Sequence, residues 1–337
     1  MLQGGEADMY HEFIRIYRSL ERRYRDPANN QMSIPTMVGY YLLKKVHALF
    51  GKKVLIQVPF QTEKTNESPG RIAVIVHCFY LDLLDELLDY ISHIPYPYRL
   101  FVSTDTREKQ DIITKKLKAQ KFPHFEVRCA VNRGLDIAPK YITFRDIYAE
   151  CDYFIHLHGK KSPHMQGGAG NRWRKYLLDS LLGSPEIVAS IFAILKDSRV
   201  GLVFPDSYEP NLPQLRWSNN YGVSLALANK LGIKISKDYC PEYPSGSMFW
   251  AKASIVRPLL NLNFQFDDFS PGKSRIDGEL SHAIEIMIVP VAHAQGLHGQ
   301  RIVTGKLDRF YRTIRVKSAP SLSQAISKSI KNEELRP

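Results

Sequence analysis

An apolar run from Tyr153 to Ile155 leads into His156, Leu157, His158, Gly159, Lys160 and Lys161. Two imidazoles and two ammonium groups therefore stand at the mouth of what reads as a buried strand. Residues two apart on a strand point to the same face, so His156 and His158 would face one ligand. Three chemistries fit such a set. Imidazole suits zinc or manganese and hardly magnesium, but two ligands with no third nearby are a poor metal set. Imidazole donors backed by Lys160 and Lys161 would neutralise a phosphate-bearing anion. The third is hydrogen bonding within the loop, with no ligand at all. The two lysines favour the anion, because a metal site would sooner draw carboxylates.

The surrounding elements say what positions this cluster. Residues 71–80 form a continuous apolar, β-branched run with the signature of a buried strand. Residues 81–94 follow with helical period. The alternation repeats with a strand over 98–106, a helix over 106–120, a strand over 125–132, a helix over 138–150 and a strand over 151–158. Such alternation predicts a doubly wound α/β domain with a largely parallel sheet. Ligands bind beyond the carboxyl ends of such strands. The four ends carry His77, then Ser103, Thr104 and Asp105, then Asn132, Arg133 and Asp136, then the histidine–lysine cluster. One rim would collect them all. No glycine-rich phosphate loop follows the first strand, which argues against a dinucleotide or P-loop site. Further on, residues 199–205 predict a fifth strand, 244–256 a turn at Gly246 before another strand, and 275–289 an amphipathic helix.

The chain has 337 residues, 44% hydrophobic and 24% charged, enough to bury a full core without staples. Its net charge of +12 favours an anionic partner: nucleic acid, an acidic membrane or a phosphate-bearing small molecule. No nucleic-acid motif accompanies that charge, so nucleic acid is not expected as a partner. Cys78, Cys129, Cys151 and Cys240 form no C-x-x-C pair and read as thiols of the core. No signal peptide is apparent and no run approaches the length of a membrane span, so the expected location is the cytoplasm. Residues 8–25 and 36–53 show helical spacing, and a polar breaker at 62–70 marks a boundary. The expected organisation is an N-terminal helical extension over 1–68, a catalytic domain over 69–300 and a basic tail over 301–337. Met37, Tyr41, Leu42, Val46, Leu49 and Phe50 form an apolar stripe beside Lys44, Lys45, Lys52 and Lys53. Such a helix either lies in the headgroup plane of an anionic membrane surface or packs on the domain.

Six motifs occur in order: "NRGLDIAP", "HLHGKKSPH", "WRKYLLDSLLGS", "GLVFP", "YPSGSMFWAK" and "DGELSHAIE". Together, over about residues 71–297, they resemble the rhamnan synthesis protein F family of glycosyltransferases. The resemblance implies a GT-A type fold: a Rossmann-like nucleotide-diphospho-sugar transferase sandwich around a largely parallel sheet. It also implies transfer of a deoxyhexose, typically L-rhamnose from dTDP-rhamnose, to a lipid-linked glycan of a bacterial surface polysaccharide. The enzyme would then work peripherally at the inner face of the cytoplasmic membrane. At the fourth strand this chain has Gly159 where the family pattern has threonine.

The resemblance also assigns roles. Many GT-A enzymes hold a divalent metal with Asp-x-Asp where this chain has His156 and His158. The expectation here is donor diphosphate binding by the histidines, Lys160 and Lys161 with no cofactor required, a metal at the histidine pair remaining the alternative. "IDGEL" resembles the acidic box of inverting enzymes, with Asp277 as the base for the acceptor hydroxyl and Glu279 in reserve; helix capping is the competing reading. His77, Asp105, Asn132, Arg133, Asp136 and Arg174 would complete the donor site, although an αL turn around Gly134 would account for "NRGLD" equally well. Trp173, Ser245, Gly246, Ser247 and Trp250 would line the acceptor site, since aromatic faces pack on sugars, unless the two tryptophans are core residues. Ile276 stands where the box has its first acid. That favours the one alternative function, a non-catalytic nucleotide-sugar or glycan-binding module of an assembly complex.

Overall fold

Runs of β-branched and aromatic residues that are buried on both faces can only be central strands, and the chain arranges them so. The computed structural model describes residues 54–62, 68–159, 161, 169–207, 217–237, 242–271, 278–305, 312–316 and 319–334. Its strands are β1 (Val54–Val58), β2 (Ile72–His77), β3 (Tyr98–Thr104), β4 (Phe125–Cys129), β5 (Tyr153–His158), β6 (Val200–Pro205), β7 (Phe249–Lys252), β8 (His298–Thr304) and β9 (Arg312–Ile314). Among the described residues these nine form one sheet in the order β4-β3-β2-β5-β7-β6-β8-β1-β9. Every pairing is parallel except those of β7, which runs antiparallel between β5 and β6. This is the largely parallel α/β sandwich that the sequence predicts. The reversed β7 brings the turn before it, residues 244–248, to the same rim as the carboxyl end of β5.

Helices cover both faces. In chain order they are α1 (Leu84–Ile91), α2 (Arg107–Ala119), α3 (Ile147–Glu150), α4 (Ala169–Leu182), α5 (Pro185–Leu195), α6 (Tyr221–Leu231), α7 (Arg257–Asn261), α8 (Leu280–His293) and α9 (Ala319–Glu334). One face packs Val74, Val76, Leu100, Val102, Ile155 and Leu157 against α1, α2, α4, α5 and α9. The other packs Ile75, Phe101 and Phe154 against residues 137–151 and α6, α7 and α8. Local signals agree with the tertiary ones. Thr106 caps α2 by accepting from Lys109 N, and Ser184 caps α5 with Pro185 in its first turn.

Three boundaries differ from the sequence reading. Residues 54–58, assigned to the helical extension, form β1 inside the sheet; "VLIQV" follows a lysine-rich helical pattern closely enough to be absorbed into it. The helix expected over 138–150 is instead a wide π turn, Pro139–Thr143, followed by the single turn of α3. That widening turns Lys140 and Tyr141 into the fold, and both are buried. The expected basic tail contributes the end of β8, then β9 and α9, whose Leu322, Ala325 and Ile326 at helical spacing seal the first face. The amphipathic stripe of 36–53 lies outside the described residues. Cys78 and Cys151 are buried free thiols, each pushed up to about 12 by burial, and Cys240 lies outside the described residues.

Candidate functional site

The strand ends meet as the topology requires. Parallel register sets His77 of β2 beside Ser103 of β3 on one side and His158 of β5 on the other. His77 Nδ1 and Ser103 Oγ share a 3.0 Å hydrogen bond. Burial pushes the His77 imidazole down to about 4, so it is neutral at physiological pH.

His156 and His158 do share one face, but they play different parts. His156 is completely buried. Its Nε2 lies 2.6 Å from the Tyr148 hydroxyl, and its ring meets Tyr141 edge-on at 5.4 Å between centroids. Burial, reinforced by the Lys140 ammonium, holds it well below its ordinary value. The structure thus places His156 inside the fold rather than on the rim, packed among aromatic rings. His158 lies at the strand end, and its Nε2 donates to the Gly246 carbonyl at 2.8 Å. Its Nδ1 is 3.9 Å from Asp136 Oδ1.

Asp136 is the carboxylate of this corner. The loop that carries it is tight: Gly134 and Leu135 are both left-handed, at φ 66° and 58°. A Cβ at position 134 would come within 2.5 Å of Phe269 and 2.7 Å of Ala138, so only glycine fits there. Asp136 Oδ2 accepts from Lys140 Nζ at 2.7 Å, and the same ammonium donates to the Ser247 carbonyl at 3.1 Å. Lys140 has no exposed surface. The turn before β7 is held from other sides too. Gly246 N donates to Glu285 Oε1 of α8 at 2.7 Å, and Trp173 of α4 packs beneath the glycine.

The remaining candidates fall around this corner. Asp105 is paired with Lys109 at 2.6 Å. Asn132 is exposed. Arg133 donates to the Phe269 carbonyl at 3.1 Å, and its backbone forms a β-bridge with Pro271 at the edge of the segment that leads to Asp277. Lys161 pairs with Asp82 at 2.6 Å over the Tyr80 ring. Arg174 is buried against Glu86 at 2.8 Å. Ser245 and Ser247 flank Gly246 in the turn. Glu279 is half-buried just before α8, and its side chain does not cap that helix. Asp277 and Lys160 lie outside the described residues. Trp250 is not on the rim: it is fully buried, with Nε1 donating to the Leu181 carbonyl at 3.2 Å, because β7 directs it into the packed first face.

Sequence reasoning missed several groups here. Lys140 follows Asp136 by four residues, yet it was absorbed into an amphipathic helix that the chain does not form. Glu285 lies within the amphipathic helix expected over 275–289 and was assigned no role there. Arg301 in the middle of β8 pairs with Asp206 at 3.2 Å and Glu242 at 2.6 Å, a nearly buried cluster that pins the start of the turn segment. Asp206 directly follows the "GLVFP" strand, which was its one visible signal.

The donor chemistry bears on a metal. Among the described residues no three His, Cys, Asp or Glu side chains gather as a ligand set. Through Nε2 the histidine pair does not fit a metal, because that nitrogen of each ring is already bonded, and the neighbouring carboxylate carries Lys140.

Comparison with known proteins follows from this geometry. The family described as Rhamnan synthesis protein F matches residues 34–297, so the match begins before β1. Two proteins called "Uncharacterized protein WxcX", from Xanthomonas campestris pv. campestris strains B100 and ATCC 33913, are 33% and 32% identical over 233 residues. That alignment covers 68% of this chain and 32% of each relative, so the chain spans about a third of their length. Among solved structures, a mannosyltransferase from Pyrobaculum calidifontis in complex with GDP-Man and Mn2+ aligns over 95% of this chain and 76% of its own, at 14% identity and a TM-score of 0.44. S. aureus TarS 1-349 in complex with UDP aligns over 78% and 65%, at 11% identity and a TM-score of 0.37. The family match covers well over half of the chain, and the chain belongs to the rhamnan synthesis protein F family.

Proposed function

We propose that this member of the rhamnan synthesis protein F family is a glycosyltransferase that moves a sugar from a nucleotide sugar onto a growing polysaccharide. The observation that carries this reading is the corner at the carboxyl ends of β2 and β5. There Asp136, His158 and the Gly246–Ser247 turn converge beside the segment leading to Asp277. An α/β sheet of this kind binds its ligand at that rim.

In finer terms the donor is dTDP-rhamnose and the transfer inverts the anomeric centre. Asp277 takes the proton of the acceptor hydroxyl as its oxygen bonds to the anomeric carbon. The bond from that carbon to the diphosphate breaks, and the nucleoside diphosphate leaves with the electron pair. Lys160, Lys161 and His158 meet its charge. Asp105 and Asp136 accept from donor hydroxyls, and Trp173 with Ser245 faces the acceptor. The acceptor is lipid-linked, and the enzyme sits peripherally on an anionic membrane at its cytosolic face, using residues 36–53.

A screen of UDP-, GDP- and dTDP-sugars by nucleotide release, with and without EDTA, tests the reading. Turnover with dTDP-rhamnose that survives EDTA is expected. Asp277→Asn keeps the size of the side chain and removes its basicity, so kcat should fall about 100-fold or more. Binding of a nucleotide sugar without turnover by the wild type would favour the non-catalytic module instead. Turnover lost to EDTA and restored by manganese would return a metal to the site.

A further inference from the structure

We propose that Lys140 is the positioning residue of this rim, a resident cation sealed inside the fold that holds the Asp136 carboxylate in place and locks the Gly246–Ser247 turn. What the turn presents, a ledge for the sugar being transferred, rests on the transferase reading. The positioning itself rests on geometry alone.

An ammonium with no exposed surface is sustained only where anionic and carbonyl partners surround it. Lys140 has two, in different parts of the chain: Asp136 Oδ2 at 2.7 Å and the Ser247 carbonyl at 3.1 Å, 107 residues away. It therefore ties the loop after β4 to the turn before β7, across the end of β5. The tied turn has a demanding shape. Gly246 and Ser247 are consecutive left-handed residues at φ 92° and 59°, and the second carries a side chain. A serine holds that conformation only when its surroundings over-determine it. The surroundings here are His158 on the Gly246 carbonyl, Glu285 on the Gly246 amide and Lys140 on the Ser247 carbonyl. Ser247 Oγ is buried and makes no hydrogen bond, so the side chain itself does not supply the support.

The groups facing Lys140 set its sign. Asp136 and Glu285 favour the charged amine, while burial draws it below its ordinary value of 10.5. His156 nearby is held neutral, and Tyr141 and Tyr148 are both raised, so none of these supplies a competing charge near neutral pH. Removing the ammonium would leave Asp136 without its cation and Ser247 without its donor. The carboxylate would then turn or take up a proton, and the turn would relax.

Hydrogen exchange and kinetics on the full chain test this. In Lys140→Met, amide exchange in a peptide covering 242–248 should accelerate at least tenfold. The double variant Lys140→Met with Asp136→Asn removes both charges and keeps the fold, yet its turn should still exchange fast. With a donor found for the wild type, both variants should lose at least tenfold in kcat with a smaller change in donor KM. Loss of the Lys140 proton should give the wild-type pH–rate profile an alkaline limb that both variants lack. Unchanged exchange in both variants, or wild-type kcat with the alkaline limb retained, overturns the proposal. Fast exchange in the variants of a wild type that turns over no nucleotide sugar upholds the positioning and sinks the transferase reading instead.

Discussion

Asp105–Lys109 and Asp136–Lys140 are two carboxylate–lysine pairs on the same rim, each four residues apart, at 2.6 and 2.7 Å. Each ammonium also reaches a carbonyl from another loop, Phe79 at 2.9 Å for Lys109 and Ser247 at 3.1 Å for Lys140. The Asp side chains are almost equally covered, at 12% and 11% exposed. The lysines differ: 25% of the Lys109 side chain is exposed and none of Lys140. Lys109 stands in the first turn of a regular capped helix, with its ammonium over the Phe79 ring and solvent beside it. Lys140 stands in a π turn that rotates it inward. The same spacing and near-equal bond lengths therefore give one pair that water can rescue and one that it cannot. Contact geometry alone would have ranked them as equals.

The sharpest way to test that difference is to cut each pair at its lysine. Breaking a buried pair leaves an uncompensated charge, a loss of about 3–5 kcal/mol. Lys140→Met should therefore lower the stability from denaturant midpoints by about that much, and adding Asp136→Asn should restore most of it. A loss near zero for the single variant would mean that water reaches Asp136 and that the contrast between the pairs is false.

The same contrast shows what was legible in the sequence. The order of strands and helices from β2 through β5 could be read because buried parallel strands and amphipathic helices carry different periodicities. The rim followed, since strand ends are fixed once strands are. Which strand-end residues face ligand could not be read. His156 and His158 look equivalent at spacing two, and only the packing of Tyr141, Tyr148, Phe154 and Phe249 around the first separates them. Trp250 misled for the same reason: a four-residue strand gives no alternation long enough to tell its faces apart. Lys140 was hidden because the wide turn that buries it has no local signature, and β1 because a short strand after a helical, lysine-rich pattern continues that pattern by chance.

A second test extends the contrast from lysines to imidazoles. His77 is buried and accepts no proton until about pH 4, whereas in the unfolded chain it takes one near 6.5. Between those values the unfolded state holds more protons, so stability falls as pH drops through that window. A shift of this size corresponds to about 3 kcal/mol at most. Carboxylates such as Asp146 and Asp152, held low by Arg128 and Arg71, add their own loss at lower pH. The difference between wild type and His77→Asn isolates the imidazole. The variant's stability should decline less steeply from pH 6.5 to 4, and parallel curves would show that His77 protonates freely in the folded state.

The smallest effect is expected at the more open pair, and it separates stability from function. Lys109→Met removes a partly exposed ion pair, and such pairs contribute about 0–1 kcal/mol. The methionine keeps most of the contact with the Phe79 ring through its apolar stem, so the denaturant midpoint should barely move. Asp105 would nevertheless lose its cation at a strand end where the transferase reading has it accept from the donor. A carboxylate freed from an ammonium accepts a hydroxyl proton more readily, but it also repels the diphosphate more. The second effect acts over longer range, because the pair as a whole is neutral and the bare carboxylate is not. Donor KM should therefore rise a few-fold while kcat stays close to wild type, and the rise should shrink in 0.5 M salt as screening shortens the reach of the charge. A KM unchanged at low salt would place Asp105 away from the donor. A stability loss as large as that of Lys140→Met would show that exposure does not separate the two pairs.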